Sequence, residues 1–280
     1  MVSGMRVSPS PIALLWMALF LTVGLNPALA GPDSGWQQRP HVALRLSAAG
    51  LDEPGGQAPW AAVELKLDRG WKIYWRSPGE AGIPTTIDWS GSENLRGVET
   101  HWPRPKRARI WNVDTVGYGG EVTFPAALQL ADPAAPTVLR VRVAYGVCRE
   151  ICIPDEALLT LKVAPGAWTK PEQAGRIRAA RALVPDRGNE AALVVRGAVV
   201  RDGKLQVDAE SAEPALAPDL FIEGPPGLRF GPAVAILGHD RRRVHFEVPL
   251  QDASQAGFAL LLTFVDGPRA FERRVAVPPP

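Results

Sequence analysis

The sequence predicts an all-β chain of two immunoglobulin-like β-sandwich domains joined by a short helix. Three observations carry that expectation. The 27 glycines and 28 prolines of the 280 residues fall between short runs in which apolar and polar residues alternate. Period-two alternation marks half-buried strands, and glycine and proline end them. The aromatic residues are also partitioned. After residue 30 every tryptophan lies between Trp36 and Trp168, whereas Phe124 is the one phenylalanine before residue 169 and six follow it. Such a split implies two cores packed separately. Between them, Thr169 and Glu172 have capping-box spacing, Ala174, Ile177, Ala180 and Val184 recur at helical spacing, and Pro185 stops the run. The expected boundaries are 31–164 for the first sandwich, 165–186 for the linker helix and 187–280 for the second sandwich.

Residues 1–30 read as a secretory signal peptide. Arg6 supplies the positive start, Ile12 to Leu25 the apolar core, and Ala28-Leu29-Ala30 a small-residue cleavage site. No cysteine follows the apolar core, so a lipid anchor is not expected, and no later apolar run reaches membrane-spanning length. The mature chain is expected to be exported, without stable membrane insertion, into a compartment where disulfides form. It keeps 30 basic residues against 29 acidic ones, a balance that argues against nucleic acid or a polybasic membrane contact.

In the first sandwich, Trp60 to Asp68 is a strand with Ala61, Val63, Leu65 and Leu67 on one face, and Trp71, Ile73 and Trp75 share a face of the next. Large aromatics dominate a small core, so most of these tryptophans are expected to be packing residues. Ser77 to Gly82 is turn-rich. Lys106 to Gly119 has no clear period and is long for a connection, which makes it a candidate functional loop before the strand Glu121–Leu130. In the second sandwich, strands are expected near 191–200, 204–209, 220–223, 233–237, 244–250, 258–264 and 270–277. In the sixth, Phe258, Leu260, Leu262 and Phe264 share a face. Arg241-Arg242-Arg243 reads as a solvated turn, and the second sandwich carries no assignable chemistry.

The two cysteines, Cys148 and Cys152, are the focus of the chain. Leu139, Val141, Val143 and Tyr145 alternate before them; Ala157, Leu159, Leu161 and Val163 alternate after them. Gly146 and Pro154 punctuate the connection, which places the pair on a loop at the end of a hairpin. A disulfide across so short a ring removes little unfolded-state entropy, about 2 kcal/mol against about 4.7 kcal/mol for a 100-residue loop. That argues for exchange chemistry over a staple, because short loop-borne disulfides are the readily reduced ones. Two alternatives remain: an inert disulfide in a sandwich binding module, and two thiolates for copper or another soft metal. The three methionines stand at 1, 5 and 17, inside the signal, so none completes a copper site in the mature chain. The four histidines, at 41, 101, 239 and 245, show no metalloprotease or hydrolase spacing, and no glycine motif cradles a phosphate. No cofactor or resident metal is expected. Arg149 favours a thiolate at its neighbour and Glu150 opposes it. Tyr145, Tyr74, Trp75, Trp111 and Tyr118 are aromatics able to shield the sulfurs.

The run Tyr145-Gly-Val-Cys-Arg-Glu-Ile-Cys-Ile-Pro-Asp-Glu156 resembles the redox loop of the amino-terminal periplasmic domain of the thiol–disulfide interchange protein DsbD, in the branch similar to the copper-tolerance relative ScsB. Gly70-Trp-Lys-Ile-Tyr-Trp-Arg-Ser-Pro-Gly-Glu-Ala-Gly82, Asp88-Trp-Ser-Gly-Ser-Glu93 and Trp102-Pro-Arg-Pro105 extend the resemblance over roughly residues 40 to 163. It implies an immunoglobulin-like fold with the pair under a mobile cap, and a periplasmic protein-disulfide reductase or electron shuttle. It also implies that Cys152 forms the mixed disulfide with partners and Cys148 resolves it. The cap implied falls within Arg107 to Tyr118, with Trp111 as the shielding aromatic. The implied partners are periplasmic thioredoxin-like proteins. Full-length relatives continue into a membrane conduit and a thioredoxin-like domain, so a separate membrane electron donor is expected here. The best-known members place five residues between their cysteines; this chain places three.

Overall fold

The computed structural model describes residues 33–54, 56–79, 82–110, 113–168, 170–188, 192–251 and 257–279, with Met1 and Gly4. The expected signal peptide, apart from those two residues, lies outside this set, as do Trp111 and Thr169. The first strands are β1 (Gln37–Arg39), β2 (Val42–Glu53), β3 (Gly56–Leu67), β4 (Lys72–Gly79), β5 (Thr86–Asp88) and β6 (Leu95–Thr100). Then come β7 (Lys106–Ile110), β8 (Val113–Gly119), β9 (Glu121–Leu130), β10 (Thr137–Cys148) and β11 (Cys152–Val163). Helix α1 (Pro171–Arg181) precedes β12 (Leu193–Arg201), β13 (Lys204–Ser211), β14 (Pro218–Glu223) and β15 (Arg229–Phe230). The chain ends on β16 (Val234–Leu237), β17 (Arg243–Gln251), β18 (Phe258–Asp266) and β19 (Arg269–Val277).

Two sheets face each other in the first half. One runs β1-β2-β3-β9-β6; the other runs β11-β10-β4-β8-β7, with β5 on β10. The alternating residues seen in the sequence fill the space between them. Leu44, Leu46, Val63 and Leu65 from one sheet meet Ile73, Trp75, Leu139, Val141, Val143 and Tyr145 from the other, all buried. Lys106 to Gly119, expected as an irregular loop, is the hairpin β7–β8. Its period is weak in the sequence because, among the described side chains of β8, the large inward ones are Val116 and Tyr118, and Gly117 and Gly119 alternate with them.

Strand β2 is buried along both faces, because the side away from the core is covered too. There Ala49, Leu51, Trp60 and Ala62 pack against Ala174 and Ile177 of α1. The helix expected from apolar spacing therefore lies on the sheet. It starts at Pro171 after Lys170, whose side chain makes no cap hydrogen bond, and Glu172 pairs with Arg176 at 2.5 Å. Val184 lies beyond its end. Among the described residues no helix is long and apolar enough to cross a membrane.

In the second half, β12-β13-β17-β15, with β16 on β17, faces β14-β18-β19. Val195, Val207, Phe246, Val248, Leu260, Leu262, Phe264 and Phe271 form its core. The two cores are not wholly separate. Phe221 of β14 is buried with the first core and meets Trp75 edge-on at 5.9 Å. Arg76 beside it donates to Glu223 (2.7 to 3.0 Å) and also pairs with Glu272.

Candidate redox site

The hairpin β10–β11 keeps one register from Thr137↔Val163 to Cys148↔Cys152. The cysteines are thus the last rung of the ladder, not part of the loop that the sequence suggested. Gly146 and Pro154, which read as punctuation, are themselves a pair inside it. The turn is Arg149-Glu150-Ile151, closed by the Arg149 N–H donating to the Ile151 carbonyl at 3.0 Å. A disulfide joins Cys148 and Cys152, with Cα atoms 4.2 Å apart. It links residues that the ladder already holds together.

Alternation fixes which face carries the sulfurs. Tyr145 and Val147 point into the core, so Gly146 and Cys148 take the outer face. On its other side β10 sets Cys148 opposite Lys72 and Val147 opposite Ile73. Strand β8 then sets Gly119 opposite Lys72 and Gly117 opposite Tyr74. Cys148, Lys72 and Tyr74 therefore share one outer face, with glycines at 117, 119 and 146 around them.

The two sulfurs are unequal. Cys148 is 1% exposed, whereas Cys152 is exposed. Tyr74 is 3% exposed, and its hydroxyl stands 3.4 Å from Cys152 Sγ. A disulfide sulfur carries no proton, so the hydroxyl is the donor. Burial raises the Tyr74 phenol and lowers the Lys72 ammonium from their ordinary values.

Segment Gly82–Ile83 covers this arrangement. A Cβ at Gly82 would stand 2.6 Å from the Tyr74 ring, and its φ of 133° is a glycine conformation. A Cβ at Gly146 would stand 2.9 Å from the Ile83 Cβ. The Thr85 hydroxyl pins the segment to β4 by donating to the Tyr74 carbonyl at 2.6 Å. Ile151, in the turn, is 66% exposed beside Cys152.

Of the other shield candidates, Tyr145, Tyr118 and Trp75 stand elsewhere; Trp111 lies outside the described residues. Tyr145 is buried, and its hydroxyl donates to Asp155 at 3.1 Å. Burial, then the Asp155 carboxylate, pushes its phenol up. Tyr118 packs inward against Phe124 at 5.3 Å and donates to the Pro103 carbonyl at 2.8 Å. Burial pushes its phenol well up. Trp75 is in the core. In the segment Arg107 to Tyr118, the Ile110–Val113 rung lies at the opposite end of β8 from Gly119, the neighbour of Lys72.

Lys72, Gly82 and Ile83 were not singled out as site residues from the sequence, and Gly146 was read there only as punctuation. Glycine inside a strand does mark close approach, and Gly117 and Gly146 were that signal. Among the described residues no group of three or more His, Cys, Asp and Glu side chains is placed to hold a metal ion.

Residues 44–164 match the family described as thiol:disulfide interchange protein DsbD, N-terminal. Residues 183–280 match a domain of unknown function, DUF8393. The chain is similar to the crystal structure of the N-terminal periplasmic domain of ScsB from Proteus mirabilis. Identity is 24% and the TM-score 0.70, over 89% of this chain and 99% of that one. That likeness is one of fold, and it spans both halves. No curated protein matches the chain.

Proposed function

We propose that this chain, whose residues 44–164 are a domain of the DsbD amino-terminal family, is a periplasmic thiol–disulfide exchange protein with Cys148 and Cys152 as its redox pair. The observation that carries the reading is the unequal exposure of the two sulfurs. Exchange needs one sulfur open to a partner and a second, close by, to resolve the mixed disulfide. Cys152 is exposed and Cys148 is buried beside it.

Cys152 is then the exchanging sulfur. In the reduced protein its thiolate attacks one sulfur of a partner disulfide, forming the Cys152–partner bond and releasing the partner's other sulfur as a thiolate. Cys148 next attacks Cys152 Sγ, which closes the Cys148–Cys152 bond and releases the first partner sulfur. Two electrons pass to the partner, and the two thiol protons of the pair end on it. The partners are periplasmic thioredoxin-like proteins, and a membrane electron donor reduces the pair again. Residues 1–30 act as the export signal, 31–164 as the redox sandwich, 165–186 as the connecting helix and 187–280 as a second sandwich.

Trapping tests these roles. Each single-cysteine variant is incubated with an oxidised thioredoxin-like partner and run on a non-reducing gel. Cys148→Ser is expected to accumulate a covalent complex and Cys152→Ser to remain unreactive. Trapping by Cys152→Ser alone would reverse the assignment.

A further inference from the structure

We infer that the Tyr74 hydroxyl is a catalytic hydrogen-bond donor that stabilises the Cys152 thiolate and so selects Cys152 as the nucleophile. The inference rests on the exchange reading of the same site. Three features of the fold place the donor. Strand β4 presents Tyr74 on the outer face that carries the disulfide, and the hydroxyl reaches 3.4 Å from Cys152 Sγ. The ring is held down by Gly82, where a side chain would collide with it. Gly117, opposite Tyr74, leaves the face open on the other side; a Cβ there would stand 2.2 Å from the Ile73 carbonyl oxygen. A hydroxyl fixed in this way accepts no reorganisation cost when charge appears on the sulfur.

Burial keeps the phenol protonated above its usual range, so it remains a donor across the pH range in which thiols ionise. Among the described residues, the charged groups near this face are Lys72 on β4, Lys106 on β7 at the Tyr74–Gly117 rung, and Arg149 and Glu150 in the turn. Arg149 and Glu150 are mostly exposed and lie 3.7 Å from each other. Replacing Tyr74 by phenylalanine removes only an oxygen and leaves all four in place, so any change in Cys152 ionisation belongs to the hydroxyl.

In the exchange cycle this donor acts at Cys152 in both directions. When the reduced pair attacks a partner disulfide, the hydroxyl holds the attacking thiolate. When a donor thiolate reduces the Cys152 mixed disulfide by attacking the other sulfur, it holds Cys152 as the leaving thiolate. A hydrogen bond to a charged group shifts a titration by about one pH unit, a tenfold change in the thiolate-to-thiol ratio. The less stabilised thiolate is intrinsically about threefold more nucleophilic, so the net rate falls about threefold below the titration midpoint.

The test uses the full chain carrying Cys148→Ser, in which Cys152 is the single thiol. Its thiolate is titrated by ultraviolet absorbance, and its rate with oxidised glutathione is followed across the same pH range. Tyr74→Phe is expected to raise the midpoint by about one pH unit and to slow the reaction about threefold below it. Gly82→Ala keeps the hydroxyl but displaces the ring, and is expected to shift the midpoint the same way. Unchanged midpoints in both variants would overturn the inference. Both readouts are independent of any protein partner. A shifted midpoint in a protein that never exchanges with thioredoxin-like proteins would support the role of Tyr74 while contradicting the exchange reading.

Discussion

Asp155 shows how one residue ties the cysteine-bearing hairpin to the rest of the sandwich. It accepts from Arg39 Nε at 3.0 Å and from the Tyr145 hydroxyl at 3.1 Å, which joins β1 to β11 and β10. The Arg39 hydrogen bond, against an opposing burial effect, holds its carboxyl below the ordinary value of 3.8. A carboxylate with a depressed folded value stabilises the fold above its unfolded value, and that contribution is lost as pH falls through the folded one. Asp155→Asn is therefore expected to be less stable than the parent at pH 7, and the gap should close as pH falls below about 4. Urea midpoints between pH 7 and 3 measure this; parallel curves would contradict it. The role of Asp155 was not readable in the sequence, because its partner Arg39 lies more than a hundred residues away along the chain.

Among the elements, strands that alternate against solvent were the most legible, although Trp60 to Leu67 was read as a strand while covered on both faces. Leu139 to Tyr145 and Ala157 to Val163 alternate because their other face meets solvent, and the structure buries those positions. The three rungs nearest the cysteines were hidden. Gly146 and Pro154 look like breaks, yet Gly146 is small so that Ile83 can lie over it. Helix α1 was visible from Ala174, Ile177 and Ala180, but its place on Ala49, Leu51 and Ala62 was not, since that face of β2 is a plain apolar run. The cysteine pair was legible as a candidate site, and the structure joins it as a disulfide at the end of the hairpin. The cover formed by Gly82 and Ile83 was not legible, because a turn-rich loop says nothing of what it lies against.

At the scale of the molecule, Arg76 lies where the two halves meet. It pairs with Glu223 and Glu272, and Arg187 reaches Glu272 at 2.6 Å. Glu272 is 2% exposed at its side chain, so its charge depends on these partners. Burial acts to raise its carboxyl, but Arg76 and Arg187 leave it below its ordinary value of 4.5. Removing one partner of a buried ion pair costs about 3 kcal/mol or more when the remaining charge is stranded. Arg76→Met leaves Arg187 on Glu272, so it is expected to lose less than that at pH 7, about 2 kcal/mol for the lost charged hydrogen bonds. The deficit should shrink as pH falls below 4.5 and Glu272 becomes protonated, since the parent loses its ion-pair contribution there. Denaturant midpoints at pH 7 and pH 4 test both parts. Arg76 is two residues from Tyr74, so the second half braces the strand that carries the sulfur's hydrogen-bond donor.

On the exchange reading proposed above, the Cys148–Cys152 disulfide is an exchanging pair and not a staple. Its reduction potential, measured by equilibrating the full chain with glutathione redox buffers, tests this most directly. The exposed Cys152 and the already-paired strands predict a potential above about −300 mV, with two-electron exchange toward a thioredoxin-like protein. A potential below about −300 mV, with no exchange, is the behaviour of a structural disulfide and would contradict the account.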